Sequence, residues 1–324
     1  MRQQHKFFYQ KENSKKFRLF YKWVSPYLRN LRPQRRAIQG AENPSPFFII
    51  GCGRSGTTLL RRQLYASPDI YIPPESYMLG PMYYSFLRNS TMAWNELVDV
   101  VMSKLIFHEE FYTFEVNDRL PELISTLHQL PQSKQNFSSM LDTTYVWLAK
   151  QKGKEITAWG DKTPLNTLYL HELRDTFPNA RFIHLLRDGR DVVRSYTKNN
   201  MKTFENSCDR WASSLRLVEK FSAKYPDSVL ELKYENLVNS NDDELEKLCQ
   251  FIGIDHSTQF WKNPNYDPQE LGDIKYHAHH ANALSQDLNS NSIGKGKENW
   301  SIKEIKNENL QQEFTKYLAK FGYD

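Results

Sequence analysis

The stretch Gly51-Cys52-Gly53-Arg54-Ser55-Gly56-Thr57-Thr58 is where the residue types of this chain first suggest chemistry. Its glycines let the backbone fold tightly enough for successive N–H groups to converge on one point. An apolar run, Phe47-Phe48-Ile49-Ile50, precedes it, and a helical pattern begins at Thr57. A helix N-terminus behind such a turn adds partial positive charge, so the segment predicts a phosphate nest. The Gly-x4-Gly spacing, from Gly51 to Gly56, is that of a P-loop. Thr57, however, stands where a P-loop carries the lysine that reaches the β- and γ-phosphates of a nucleoside triphosphate. That difference argues against an ATPase or kinase and suits a donor with one phosphate at the loop.

A second constellation lies between Phe182 and Ser195. Arg187 is expected at the carboxyl end of a strand, where open α/β sheets place ligands. Ser195, eight residues on, falls about two turns into the following helix. An arginine and a serine there could clamp a second phosphate, the guanidinium bidentately. Taken alone, Arg187-Asp188-Gly189-Arg190-Asp191 reads equally as an ion-pair network at a helix start. Glu75 lies 21 residues after Arg54, behind Tyr71-Ile72-Pro73-Pro74. A carboxylate just past a strand end and facing the crevice is a candidate general base. The alternative is an ion pair with Arg54 and no proton role. His277, His279 and His280 have no acidic or cysteine partner at ligand spacing, so they predict a loop, and no metal is expected.

The elements that must hold these residues follow from hydrophobic periodicity. Phe47–Ile50 reads as a buried strand, residues 57–65 as a helix, Tyr71 and Ile72 as a second strand. Residues 180–186 form a further strand, with a helix from Gly189 onward and another over roughly 205–224. A strand at 229–232 and helices at 242–252 and 302–321 complete the pattern. Strands alternating with helices predict an α/β fold around a central parallel sheet flanked by helices. Residues 82–150 are helical in pattern and rich in aromatics, and read as an insertion over the sheet edge. Most of those aromatics suit a core as well as a substrate wall. Residues 262–299 read as a long surface loop.

Composition bounds the rest. The 324 residues are 39% hydrophobic and 25% charged, an ordinary globular balance. No apolar run approaches the roughly 18 residues of a membrane span, and the N-terminus carries no continuous apolar stretch, so neither a span nor a secretory signal is expected. The net charge of +5 is unevenly held. Residues 1–40 carry eleven Lys/Arg against one acid, Glu12, leaving 32 of the 43 bases and 37 of the 38 acids to the body. An acidic body argues against a nucleic-acid partner. In the arm, Phe17, Phe20, Tyr21 and Val24 recur at helical spacing among lysines and Arg18. A basic amphipathic helix of that kind suits contact with an anionic membrane surface or a partner, or packing on its own domain. Cys52, Cys208 and Cys249 show no metal or redox spacing, which points to a reducing, cytoplasmic compartment.

Gly51–Leu60 resembles the 5′-phosphosulfate loop of sulfotransferases that use 3′-phosphoadenosine 5′-phosphosulfate (PAPS). Arg187 and Ser195 resemble the 3′-phosphate pair of the same family, and a nucleotide with a separate phosphate on its ribose is PAPS rather than ATP. Glu231-Leu232-Lys233-Tyr234-Glu235-Asn236-Leu237 and Ile293-Gly294-Lys295-Gly296-Lys297-Glu298-Asn299-Trp300 are similar to two further family segments, and the matches span about 45–320. The family usually has arginine where Lys295 or Lys297 stands.

The resemblance implies a P-loop-like three-layer fold for residues 41–324; the arm of residues 1–40, set apart by its charge, and the helical insertion at about 82–150 lie outside the matched segments. It implies that Ser55, Gly56, Thr57 and Thr58 bind the 5′-phosphate and that Arg54 lies beside the sulfuryl group. Tyr234 would sit near the adenine, and Lys295, Gly296 and Lys297 would close over the 3′-phosphate. Lys162, in Gly160-Asp161-Lys162-Thr163-Pro164, resembles the lysine that reaches the leaving oxygen; a solvated turn lysine is the alternative. Arg54 followed by Glu75 at this distance resembles the tyrosylprotein branch, in which that glutamate is the base; a histidine base, as in the cytosolic small-molecule branch, is the rival, and none of the nine histidines matches that position. Ser76-Tyr77-Met78 lacks the basic residue which that branch uses near acidic peptides. Sulfuryl transfer to a hydroxyl, yielding PAP and needing no metal, is therefore expected. A phenol, a peptide tyrosine, a carbohydrate, a lipid and a natural product all remain acceptors. A P-loop nucleotide kinase or NTPase, and a non-catalytic nucleotide-binding module, are the rival readings.

Overall fold

Burial from two sides decides the first strand. β1 (Phe47–Ile50) is buried throughout, and its side chains alternate between the faces of a sheet. Phe47 and Ile49 join one apolar cluster with Leu60, Leu64 and Leu248, while Phe48 and Ile50 join another with Phe86, Phe177 and Phe182. A parallel sheet covered by helices on both faces satisfies that pattern.

The computed structural model describes residues 23, 36–42, 44–239, 241–262, 271, 292–298 and 300–323. The amphipathic pattern of the arm, His277, His279 and His280, and most of the 262–299 stretch lie outside these residues. Leu271, within that stretch, is buried. Arg36 to Gly40, basic-arm residues by composition, pack on the body. The Arg36 backbone N–H donates to Ser90 O at 3.1 Å, and Ile38 is buried.

After β1 come α1 (Thr57–Tyr65), β2 (Ile70–Tyr71), α2 (Leu79–Asn89), α3 (Trp94–Ile106), α4 (Leu120–His128) and α5 (Phe137–Gln151). Then follow β3 (Ala158–Asp161), α6 (Leu170–Thr176), β4 (Arg181–Leu186), α7 (Gly189–Lys198), α8 (Phe204–Ser222) and β5 (Val229–Lys233). The described chain closes with α9 (Tyr234–Asn239), α10 (Asn241–Ile252) and α11 (Glu308–Lys320). The five strands are parallel, in the order β2-β3-β1-β4-β5. This is the α/β, P-loop-like architecture expected from the sequence.

Two elements differ from expectation. β3 has no apolar run to announce it. It enters the sheet because Gly160 lies flat on the Phe47 ring, where a Cβ would come within 2.3 Å of Phe47 Cε2. The tail is not one helix over 302–321: a short 3₁₀ turn, Ile302–Glu304, precedes α11. Asn307 caps α11 by accepting from the Leu310 N–H, which fixes the restart.

Helices α2 to α5 all lie in the β2–β3 connection. Tyr83, Tyr84, Phe86, Trp94, Phe111 and Phe114 of this segment are buried, whereas Phe107 and Tyr112 are exposed. Most of its aromatics are therefore core. No described helix is long and apolar enough to cross a membrane.

The topology also fixes where a ligand fits. The chain leaving β1 travels toward the β2 edge, and the chain leaving β4 travels toward the β5 edge. Between them a crevice opens beyond the carboxyl ends of the strands.

Candidate functional site

Each strand delivers one piece of chemistry to that edge. Gly51–Gly56 follows β1, Glu75 follows β2, Lys162 follows β3, Arg187 follows β4 and Tyr234 follows β5.

The turn after β1 is built to expose N–H groups. Arg54 and Gly56 both have positive φ, 72° and 95°, and Gly56 leads into α1 without a side-chain cap. The first turn of α1 carries no acid, so its N-terminal field is left for an anion. Gly56 cannot be another residue here: a Cβ would lie 2.3 Å from Tyr234 Cδ2. Thr167 clips the start of the turn, accepting from the Gly51 N–H at 2.9 Å and donating to Gly51 O at 3.1 Å. Ser55 and Thr57 are buried.

Arg54 links this turn to the second constellation. Its Nε donates to Ser195 Oγ at 3.0 Å, and Arg187 Nη1 donates to Arg54 O at 3.2 Å. Burial lowers the Arg54 pKa from its ordinary value, and the nearby Arg187 cation adds to the effect. An anion held between the two guanidiniums would oppose both influences. The Arg187 guanidinium lies 4.3 Å from the Tyr234 ring centroid, and its buried Nε has no hydrogen-bond partner among the described residues. Trp211 fixes the base of this arginine by donating from Nε1 to Arg187 O at 3.1 Å.

Glu75 and Lys162 meet directly. Lys162 Nζ donates to Glu75 Oε1 at 2.5 Å and reaches Thr58 Oγ1 at 3.4 Å. The lysine side chain is fully buried and that of Glu75 is 13% exposed. Lys162 is therefore not a solvated turn lysine, and Glu75 forms an ion pair with it. Beneath them, Asp161 accepts from Tyr145 Oη at 2.5 Å and from Asn166 Nδ2 at 2.7 Å. Burial raises the Asp161 pKa from its ordinary value. The Ser76 N–H donates to Thr163 Oγ1 at 3.0 Å, tying the Glu75 turn to the Lys162 turn.

The structure thus gathers Arg54, Ser55, Gly56, Thr57, Thr58, Glu75, Lys162, Arg187, Ser195 and Tyr234 on one edge. Ser195 bonds Arg54 rather than Arg187. In the Ile293–Lys297 turn the backbone approaches the site, but the Lys295 and Lys297 side chains are exposed, and Lys295 pairs with Glu298 at 3.3 Å. Sequence reasoning missed Thr167, Trp211, Tyr196 and Asp191. Tyr196 backs the loop, since a Cβ at Gly53 would fall 2.4 Å from its Oη. Asp191, four residues after Arg187, carried a readable signal in its helical spacing.

A model of the sulfotransferase family matches residues 46–258. Protein-tyrosine sulfotransferase A of Caenorhabditis elegans is 24% identical over 236 residues, covering 68% of this chain and 53% of that protein. Omega-hydroxy-beta-dihydromenaquinone-9 sulfotransferase Stf3 of Mycobacterium bovis is 22% identical over 261 residues, covering 68% of this chain and 66% of that protein. The chain spans between about half and two thirds of the length of these curated relatives. Among solved structures, the sulfotransferase domain of the Synechococcus PCC 7002 olefin synthase superposes with a TM-score of 0.58 at 22% identity, covering 87% of this chain and 96% of that one. That similarity is one of fold.

Proposed function

This chain belongs to the sulfotransferase family, and we propose that it moves a sulfuryl group from PAPS to an acceptor hydroxyl by in-line displacement. The observation that carries the reading is a pair of anion-holding groups on one crevice edge. The α1 turn suits a 5′-phosphate, and Arg187, reached through Arg54, suits a phosphate on the ribose. ATP has no group for the second position. The residues present fit PAPS: the buried Arg187 Nε points to an additional acceptor, and the Tyr234 ring is held against Gly56 at the phosphate turn. The kinase reading is weakened further by Asp188, at the place of a Walker-B acid. Its Oδ2 accepts from Arg190 Nη2 at 2.8 Å and its Oδ1 from Arg190 N at 2.9 Å, so it is occupied rather than offered to Mg²⁺.

In the transfer the acceptor oxygen bonds to sulfur as the sulfur–phosphate oxygen bond breaks, and charge builds on the leaving and equatorial oxygens. We assign Glu75 to accept the hydroxyl proton. Lys162, between Glu75 and Thr58, faces the leaving oxygen, and Arg54 the sulfuryl group. Ser55, Gly56, Thr57 and Thr58 hold the 5′-phosphate, and Arg187 with Ser195 holds the 3′-phosphate. Tyr234 walls the nucleotide. Gly296 belongs to the turn that closes the site, with Lys295 and Lys297 at its rim. Fixed cations and N–H groups do the electrostatic work in this scheme. The printed names of the relatives point to a protein tyrosine in one case and an omega-hydroxy menaquinone in another. A hydroxyl-bearing acceptor is common to both. The three cysteines are buried free thiols, which fits a reducing, cytoplasmic setting.

Calorimetric titration with PAP, ADP and ATP, with and without Mg²⁺, tests the reading. PAP binding far tighter than ADP, indifferent to Mg²⁺, is the expected result. A preference for ATP that requires Mg²⁺ would overturn it in favour of a kinase or NTPase. Arg187→Ala is expected to weaken PAP by about 30–100-fold, the worth of charged hydrogen bonds to one phosphate. Unchanged PAP affinity in that variant would remove Arg187 from the 3′-phosphate site.

A further inference from the structure

Asp191 lies one helical turn beyond Arg187, and its side chain is 1% exposed. A carboxylate so buried requires partners, and it has found them in backbone. Its Oδ2 accepts from the Gly294 N–H at 2.9 Å and its Oδ1 from the Gly296 N–H at 2.5 Å. The same Oδ2 stands 3.9 Å from Arg187 Nη2. Gly296 presses on the first turn of α7 so closely that a Cβ would come within 2.1 Å of the Arg190 carbonyl carbon. Gly294 has a φ of 76°, which lets the turn present both N–H groups to one carboxylate. Seated in this way, the turn brings Ser292 to the nucleotide side. Ser292 O accepts from Arg187 Nη2 at 2.9 Å, and Ser292 Oγ is 3.0 Å from Tyr234 Oη.

We propose that Asp191 is a positioning residue of the donor site: it clamps the Ile293–Lys297 turn through its backbone, so that Arg187, Ser292 and Tyr234 form one preset face toward the ribose phosphate. The proposal rests on the PAPS reading and extends it, because it places closure of the site in two glycine N–H groups. The exposed lysines of the turn are secondary. The acid also sits in the first turn of α7, where the helix field favours negative charge. An asparagine would keep the shape but turn its NH₂ toward one of the two glycine N–H donors, losing that bond and opposing the other group.

The test compares the full chain with Asp191→Asn, Gly296→Ala and the double variant, by amide hydrogen exchange over residues 292–298 and by calorimetry with PAP and ADP. Each single variant should speed exchange in that segment and weaken PAP by about 10–100-fold, with ADP affinity held. The double variant should bind PAP no more weakly than the poorer single, because both break one contact. Asp191→Asn with wild-type exchange and wild-type PAP affinity overturns the proposal, as does a double variant that loses the product of the two effects. Should Asp191→Asn fail to fold, Gly296→Ala decides, since it unseats the turn with Asp191 intact; unchanged exchange and PAP affinity there overturn the clamp. If the wild-type chain shows no preference for PAP over ADP, the donor reading fails, and the exchange comparison alone decides whether Asp191 holds the turn.

Discussion

Glu75→Gln is expected to lower kcat by about 10²–10⁴, the usual worth of a positioned general base, while PAP affinity stays at the wild-type value. The substitution keeps the shape of the side chain, and its amide oxygen can still accept from Lys162 Nζ, now 2.5 Å from the carboxylate. The donor-holding turns keep their shape, so the loss of activity falls on the chemical step, while the fully buried Lys162 ammonium, left without its carboxylate, costs up to about 3–5 kcal/mol of stability. Measuring kcat with PAPS, beside calorimetry with PAP, separates the two. Retained turnover would take Glu75 out of the mechanism and leave it as the structural counter-ion of a buried lysine.

Lys162→Met should lower turnover as well, for a different reason. Removing a cation from the leaving group reduces kcat by about 10²–10³. It also strands the Glu75 carboxylate, 13% exposed, without its ammonium. Breaking a buried pair from one side costs about 3–5 kcal/mol. The double variant Glu75→Gln/Lys162→Met removes both charges, so its stability should recover most of that loss while activity stays at the level of the poorer single. Thermal unfolding and turnover of the four proteins make the comparison. Stability losses that simply add would mean the two side chains act independently, contrary to the contact between them.

The sequence disclosed the donor side better than the acceptor side, for reasons that lie in particular residues. β1 and β4 are buried on both faces and so read as apolar runs, and α1 and α7 start at Thr57 and Gly189 as their patterns predict. A glycine-rich turn between such a strand and such a helix is a local feature, visible in one window of sequence. β3 is the opposite case. Its place in the sheet depends on Gly160 meeting Phe47, more than a hundred residues away in the chain, and no window contains both. For the same reason Lys162 is singled out by family resemblance and not by its own surroundings in the sequence. Arg187-Asp188-Gly189-Arg190-Asp191 reads as a uniform charged cluster, yet the structure divides it. Asp188 pairs with Arg190, Arg187 lies on Tyr234, and Asp191 binds backbone from a segment about a hundred residues later. Composition alone cannot distinguish a carboxylate that neutralises a neighbour from one that seats a distant turn.

The four helices between β2 and β3 bear on how such a protein changes over generations. The two ends of their connection are pinned to each other, by the pairing of Ile70 with Ala158 and Tyr71 with Trp159 and by Ser76 to Thr163. The donor-holding turns after β1, β4 and β5 belong to other connections. Lengthening a connection whose ends are already fixed is cheap, about 0.6 kcal/mol for each doubling of a flexible loop. Insertions in the turns between these helices can therefore accumulate at little cost to the nucleotide side, whereas the helices themselves carry core residues such as Phe86, packed with Phe48 and Ile50. A lineage built on this plan can diversify what it offers to Glu75 while inheriting its donor apparatus unchanged.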